Sequence, residues 1–434
     1  MKTTELKILK SFWKSIHLCG YLLIALLLSN CKSTQVSKTL SINLSASFYD
    51  NQFTGLMVYN PRTKDTVYMY NADKYFTPAS NTKIFTLFTA LHFLPEKIPA
   101  FTYHIGNDTI MIKGTGDPTF LHPYFNDSTA IKMIGDYKNV QLIINNLSDA
   151  KFGPGWAWED YDTYFSPERS SFPMYGNVVT VTNEDSLKVI PHALRKHTQY
   201  TVTSKIRDFN TNNFYYRLGE NSAEEIPMVI DSILIQQLWD DLIPGKVTVK
   251  SNSHTKLDQI AYSITSDSLY KRMMQVSDNF LAEQMLILSS SMVSDTLSTN
   301  EIRDSILNNL LKDLKQRPRW VDGSGLSRYN LFTPMSFVQV LEKLYTEIPR
   351  ERLFNLFPIG GNVGTLKNWY ASDKGAYIYA KSGTVGNNYS LSGYLLTNSG
   401  ETLIFSFMNN HYTASSSEVK QHMQMVFEYL RDNY

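Results

Sequence analysis

The sequence predicts an α+β fold in which an antiparallel sheet is layered with helices and interrupted by a mainly β module. Three observations lead there. Helical apolar spacing over residues 84–91 and again from residue 268 brackets a long stretch of short alternating runs broken by Gly, Pro and Asn. Three strand patterns then succeed one another between residues 376 and 408. An amphipathic helix closes the chain.

The first element is a leader. Lys2, Lys7, Lys10 and Lys14 precede the apolar run Tyr21–Leu28, which is the pattern of a signal peptide over residues 1–30 and too short to span a membrane permanently. Of the two cysteines, Cys19 lies beside that run and Cys31 comes after it, so cleavage before Cys31 leaves one thiol and no intrachain disulfide. A lone N-terminal cysteine behind Leu28-Ser29-Asn30 resembles a bacterial lipoprotein, with Asn30 where that family usually carries Gly, Ala or Ser. The resemblance implies an exported protein held to a bacterial membrane by lipidation of Cys31. Residues 31–44, rich in Ser, Thr and Lys, are expected to be its tether.

Folding is expected to start near residue 45, with a first strand at Thr54–Tyr59. Thr77 then reads as the cap and Pro78 as the first residue of a helix whose Ile84, Leu87, Phe88 and Leu91 share one face. Residues 101–254 are the expected insert, with strands such as Thr109–Ile112 and Val179–Val181. Residues 45–100 and 255–434 make the expected main domain. Its later helices lie at Ser268–Gln275, Phe280–Ser289, Ile302–Leu314 and Met335–Tyr345, and its strands at Ala376–Ala380, Tyr389–Leu396 and Leu403–Met408. Ser415 and Glu418 read as the capping box of the last helix, which places Val419, Met423, Val426 and Leu430 on one face.

Composition narrows the function. At 434 residues the chain has room for two or three domains, and 43% hydrophobic with 19% charged residues excludes disorder, collagen and coiled coil. Forty-one Lys and Arg against forty Asp and Glu leave a net charge of +1, without the basic excess that nucleic acid demands. The nine histidines show no ligand spacing, so no metal or other cofactor is implied.

Ser80 and Lys83 fall three apart at the start of the apolar helix, with β-carbons about 5–6 Å apart on one face, where a serine hydroxyl can meet an amine. The helix N-terminus favours a developing anion there. Ser-x-x-Lys alone discriminates little, because the chain contains seven. Ser80 is singled out by the order of two later motifs: Ser277-Asp278-Asn279 between two helices, then Lys381-Ser382-Gly383-Thr384 at the end of a strand. This is the order of the S-x-x-K, S-D-N and K-T-G set of serine acyl-transfer enzymes.

The surroundings narrow the resemblance further: PASNTKIFT at Ser80, GTGDPTF at Gly114, GWAWED at Gly155, SDNFLAEQML at Ser277, DGSGLSRYN at Asp322 and GNVGTL at Gly361. Together they resemble the D-alanyl-D-alanine carboxypeptidase/endopeptidase family, the class C low-molecular-mass penicillin-binding proteins, from about residue 45 onward. The resemblance implies a serine β-lactamase/transpeptidase-like main domain, with the insert between its first two motifs. It implies that Ser80 attacks the carbonyl of the penultimate D-Ala of a peptidoglycan stem, that Lys83 takes the serine proton, that Ser277 relays a proton to the leaving amine, and that Asn279 holds Lys83 and the substrate. Asp278 would face away.

Lys381 and Ser382 would receive the substrate carboxylate, Gly383 would let substrate lie against the strand, and the N–H groups of Ser80 and Thr384 would form the oxyanion hole. Ser382 departs from the usual threonine but keeps the hydroxyl. β-Lactams would be inhibitors. The rival readings are a β-lactamase or esterase on the same fold, and a glycan-binding surface lipoprotein that catalyses nothing. The aromatic cluster Trp156, Trp158, Tyr161, Tyr164, Phe165, Phe172 and Tyr175 is expected to be the core of the insert, Gly114-Thr115-Gly116-Asp117 a turn, and Asp322-Gly323-Ser324-Gly325 a structural loop near the site.

Overall fold

A computed structural model describes residues 34–125, 127–183, 186–202, 206–217, 223–250 and 257–434. The signal peptide expected over residues 1–30 and the lipidated Cys31 lie outside them. The first described element corrects the expected tether: residues 34–44 form a helix, α1, whose Val36, Leu40 and Leu44 are buried. Most of its polar residues lie on the outer face, so a polar composition conceals an amphipathic period.

A hairpin of β1 (Phe53–Asn60) and β2 (Asp65–Tyr70) comes next. Alternate residues of β1 enter different cores, Met57 on one side and Leu56 and Val58 on the other, as the two-residue period of a central strand requires. A 3-10 turn, Ala79–Thr82, leads into α2 (Lys83–Phe93). Thr77 does not cap it with its side chain; Pro78 stands at the cap position and the Thr77 backbone is clamped by Asn410 instead.

The chain continues through β3 (Lys97–Gly106), β4 (Thr109–Gly114), α3 (Thr129–Gly135), β5 (Asn139–Ile143), β6 (Val178–Asn183), β7 (Leu187–Ile190), β8 (Thr198–Tyr200), β9 (Phe214–Tyr216), β10 (Glu224–Pro227), α4 (Ser232–Leu242), β11 (Val247–Lys250) and β12 (Gln259–Thr265). They build a mixed sheet in the order β11-β5-β4-β3-β12, an antiparallel sheet β10-β6-β7 and a parallel pair β8-β9 around a third core. The module is wider than residues 101–254, because β3 at its entry pairs with β12 at its exit, Phe101 opposite Ala261. That pairing joins strands far apart in sequence, which local pattern does not reveal.

The chain then returns through α5 (Ser266–Gln275), α6 (Asn279–Ser290), α7 (Thr299–Asn308), α8 (Pro334–Glu347), α9 (Arg350–Leu356), β13 (Ile378–Val385), β14 (Asn388–Leu396), β15 (Thr402–Asn410) and α10 (Ser416–Asn433). α7 stops at Asn308, short of the expected Leu314. Ser415 caps α10 by accepting the Glu418 N–H at 3.2 Å. The main sheet is antiparallel in the order β13-β14-β15-β1-β2. Helices α2, α5, α6 and α8 cover one face, and α1 and α10 the other. The fold is thus α+β, with the antiparallel sheet and flanking helices expected.

Candidate active site

Ser80 rides on the 3-10 turn, half-buried, behind Ala79 at φ +48°. Two glycines let neighbouring backbones close on this turn. A Cβ on Gly325 (φ +83°) would fall 1.9 Å from the Ala79 carbonyl oxygen, and one on Gly383 would fall 2.6 Å from the Pro78 oxygen and 2.9 Å from the Ser80 nitrogen. Gly383 is therefore required for β13 to lie against the serine turn, whereas the sequence had suggested close approach of substrate. Lys381 to Thr384 fall in the C-terminal part of β13, with only Val385 after them.

Lys83, the first residue of α2, is fully buried. Its Nζ is 2.9 Å from Ser80 Oγ, 2.7 Å from Asn279 Oδ1 and 2.7 Å from the Ser324 carbonyl oxygen. Burial pushes its ammonium down to about 8, against the upward pull of Asp322, Glu283 and Asp278. With the two carbonyl oxygens accepting its hydrogens, a neutral Lys83 turns its lone pair to the Ser80 hydroxyl.

Ser277 stands at φ +63° and its Oγ accepts from Lys381 Nζ at 2.9 Å. Lys381 is fully buried and also donates to the Ser382 carbonyl at 2.6 Å. Burial, and then the nearby Lys83 charge, hold it well below the usual lysine range. Ser382 Oγ shares a 2.6 Å hydrogen bond with Thr365 Oγ1. Asn279 Nδ2 donates to the Phe165 carbonyl at 3.0 Å, so the inserted module braces the residue that holds Lys83. Asp278 caps α6 at Leu281 N and pairs with Arg272 at 3.3 Å.

Ser80, Ser277, Asn279, Ser382 and Thr384 line one cavity of about 780 Å³. A larger cleft of about 920 Å³ in the module holds none of these residues. The sequence thus identified side chains that converge in space although 301 positions separate Ser80 from Lys381 in the numbering.

The profile of the D-Ala-D-Ala carboxypeptidase 3 (S13) family matches residues 40–211 and 222–430. This chain belongs to that family. Penicillin-sensitive carboxypeptidase A of Dictyostelium discoideum is 22% identical over 92% of this chain and 89% of its own. D-alanyl-D-alanine carboxypeptidase DacB of Haemophilus influenzae is 22% identical over 90% and 92%. The crystal structure of penicillin binding protein 4 from Haemophilus influenzae covers 90% of this chain and 99% of its own at 20% identity, with a TM-score of 0.71, and shares the fold.

This S13 peptidase also recruits residues that motif reading missed. The DGSGLSRYN segment is more than a nearby loop: its Ser324 carbonyl binds Lys83, while the Glu283 carboxylate accepts the Ser324 N–H at 2.7 Å and pairs with Arg169 in the module. Backbone groups leave no residue-type signal. Thr365 lay within the GNVGTL segment, but only folding brings it to Ser382.

The aromatic cluster is split. Phe172 and Tyr175 join the module core, Trp156 Nε1 donates to Asp322 Oδ2 at 2.9 Å, Tyr164 and Phe165 line the catalytic cavity, and Trp158 faces solvent. Seven aromatics close in sequence on an irregular segment have no common face, so one core was the wrong expectation.

Proposed function

We propose that this S13 peptidase removes the terminal D-Ala from peptidoglycan stems through an acyl-enzyme on Ser80. The observation that carries the reading is the Ser80–Lys83 contact at 2.9 Å, with Lys83 buried and fixed by Asn279 and Ser324. Ser80 Oγ bonds the carbonyl carbon of the penultimate D-Ala as that carbon's bond to the terminal D-Ala nitrogen breaks. The hydroxyl proton passes by way of Lys83 and Ser277 to the leaving nitrogen. Water then cleaves the ester and restores the serine hydroxyl.

The N–H groups of Ser80 and Thr384 would stabilise the oxyanion, a contribution worth on the order of 10²–10³ in rate per donor. The Ser382 and Thr365 hydroxyls suit the terminal carboxylate, and an incoming carboxylate would favour the charged form of Lys381 behind them. A cross-link presents the same bond with its leaving amine on a second stem, so D,D-endopeptidase activity is expected from the same chemistry. β-Lactams, which mimic the acyl donor, are the expected inhibitors. The signal pattern and Cys31 support an exported protein lipid-anchored at a bacterial membrane.

Incubation with benzylpenicillin, then intact-mass spectrometry and peptide mapping, tests the nucleophile. An adduct on Ser80, absent in Ser80→Ala, is expected. Penicillin consumed without an adduct would favour a β-lactamase, and penicillin left intact would favour the non-catalytic reading.

A further inference from the structure

The rim of the catalytic cavity continues into rings that face solvent. Trp158 is 78% exposed, Tyr164 69% and Phe209 53%, although aromatic side chains of this size are mostly buried. Trp158 and Phe209 stand edge to face with centroids 6.2 Å apart, and Phe209 meets Tyr161 at 4.8 Å. Trp158 shares its 3-10 turn with Asp160, and Asp160 and Tyr164 line the cavity that holds Ser80. The rings therefore lead outward from the place where a stem peptide would enter.

Their display is fixed from below. Arg207 is 1% exposed, and its Nη1 donates to the carbonyls of Asp208 at 2.7 Å and Phe209 at 3.1 Å, while Nη2 donates to that of Tyr161 at 3.0 Å. The guanidinium lies over the Tyr161 ring at 5.0 Å, and Tyr161 Oη donates back to the Arg207 carbonyl at 2.9 Å. Burying a guanidinium is costly, and the Arg207 Nη1 and Nη2 hydrogen bonds offset part of that cost although Nε has no partner. Here those hydrogen bonds tie together the two loops that present Trp158 and Phe209.

We propose that Trp158 and Phe209 form a saccharide platform that binds the glycan strand carrying the stem peptide. Pyranose rings have apolar C–H faces for flat aromatic rings and a rim of hydroxyls. Glu159, Asp160 and Asp162, on the same segment, supply carboxylate acceptors for such hydroxyls. The platform rests on the carboxypeptidase reading, since a stem in the cavity brings its own sugars to this rim. Holding the sugars raises the effective concentration of the attached stem at Ser80.

The test compares kcat/KM on a stem peptide attached to a short glycan strand with kcat/KM on the same peptide without sugar. The ratio of the two is expected to fall about tenfold in Trp158→Ala and in Phe209→Ala, the size of one aromatic contact. An unchanged ratio in both variants overturns the platform. Calorimetric titration with peptide-free glycan strands needs no catalysis, and so separates failure of the platform from failure of the carboxypeptidase reading. Wild-type binding that weakens about tenfold in both variants is expected on the same grounds. No wild-type binding, or equal binding in variants whose circular dichroism is native, overturns it.

Discussion

In the proposed mechanism Lys83 accepts a proton from Ser80 only after losing its own, and its depressed value of about 8 would set where that happens. Acylation by benzylpenicillin is expected to rise with pH up to about 8 and level off above it, because the neutral fraction of Lys83 grows over that range. A stopped-flow pH profile checks this. Asp322, Glu283 and Asp278 all favour the charged form, against the burial that disfavours it. Glu283→Gln keeps an acceptor for the Ser324 N–H but removes one of the anions, so the rising limb should move to lower pH. A limb that stays in place would mean that Glu283 acts on geometry alone. Losing the charge opposite Arg169 should also destabilise the fold by ~3–5 kcal/mol, measurable by denaturant titration. The meeting of Ser80, Lys83 and Asn279 was legible because their side-chain types mark the proposed chemistry. The Ser324 and Phe165 carbonyls were not, since every residue has one.

β13 has a second task besides carrying Lys381 and Ser382: it abuts the turn that aims Ser80. Gly383→Ala would place a methyl 2.6 Å from the Pro78 carbonyl oxygen. It is expected to cost ~1–3 kcal/mol through overpacking, and to slow penicillin acylation more than tenfold by shifting the turn. Native stability with native acylation in this variant would place the role of Gly383 elsewhere. α1 makes the complementary case. Leu40 is fully buried in the core shared with α10, so Leu40→Ala should lower stability by ~2–5 kcal/mol in denaturant unfolding, whereas a solvated tether would lose nothing measurable. The element was missed because a count of Ser, Thr and Lys averages over a helix that is polar on one side only.

At the scale of the molecule, the module reaches into the site from between its first two motifs. The Phe165 carbonyl holds Asn279, the Ser170 N–H and carbonyl are bound by Gln284, and Arg169 pairs with Glu283, all three partners on α6. The module and the main domain therefore share one catalytic geometry. Val36, five residues after Cys31, is already buried in the core, so a lipid on Cys31 would hold this body close to the membrane surface. Wild-type protein is expected in the membrane fraction and labelled by radioactive palmitate, with Cys31→Ser soluble and unlabelled. A wild-type protein that is unlabelled and soluble would remove the anchor. The sequence by itself determined the α+β class, the helices and strands with regular apolar periods, and the order of the three motifs, because each is written in neighbouring side chains. Only the tertiary structure decided that β3 and β12 close the module, that α1 belongs to the core, and that backbone carbonyls fix Lys83. Those are pairings between distant segments through groups common to every residue, and only the folded chain brings them together.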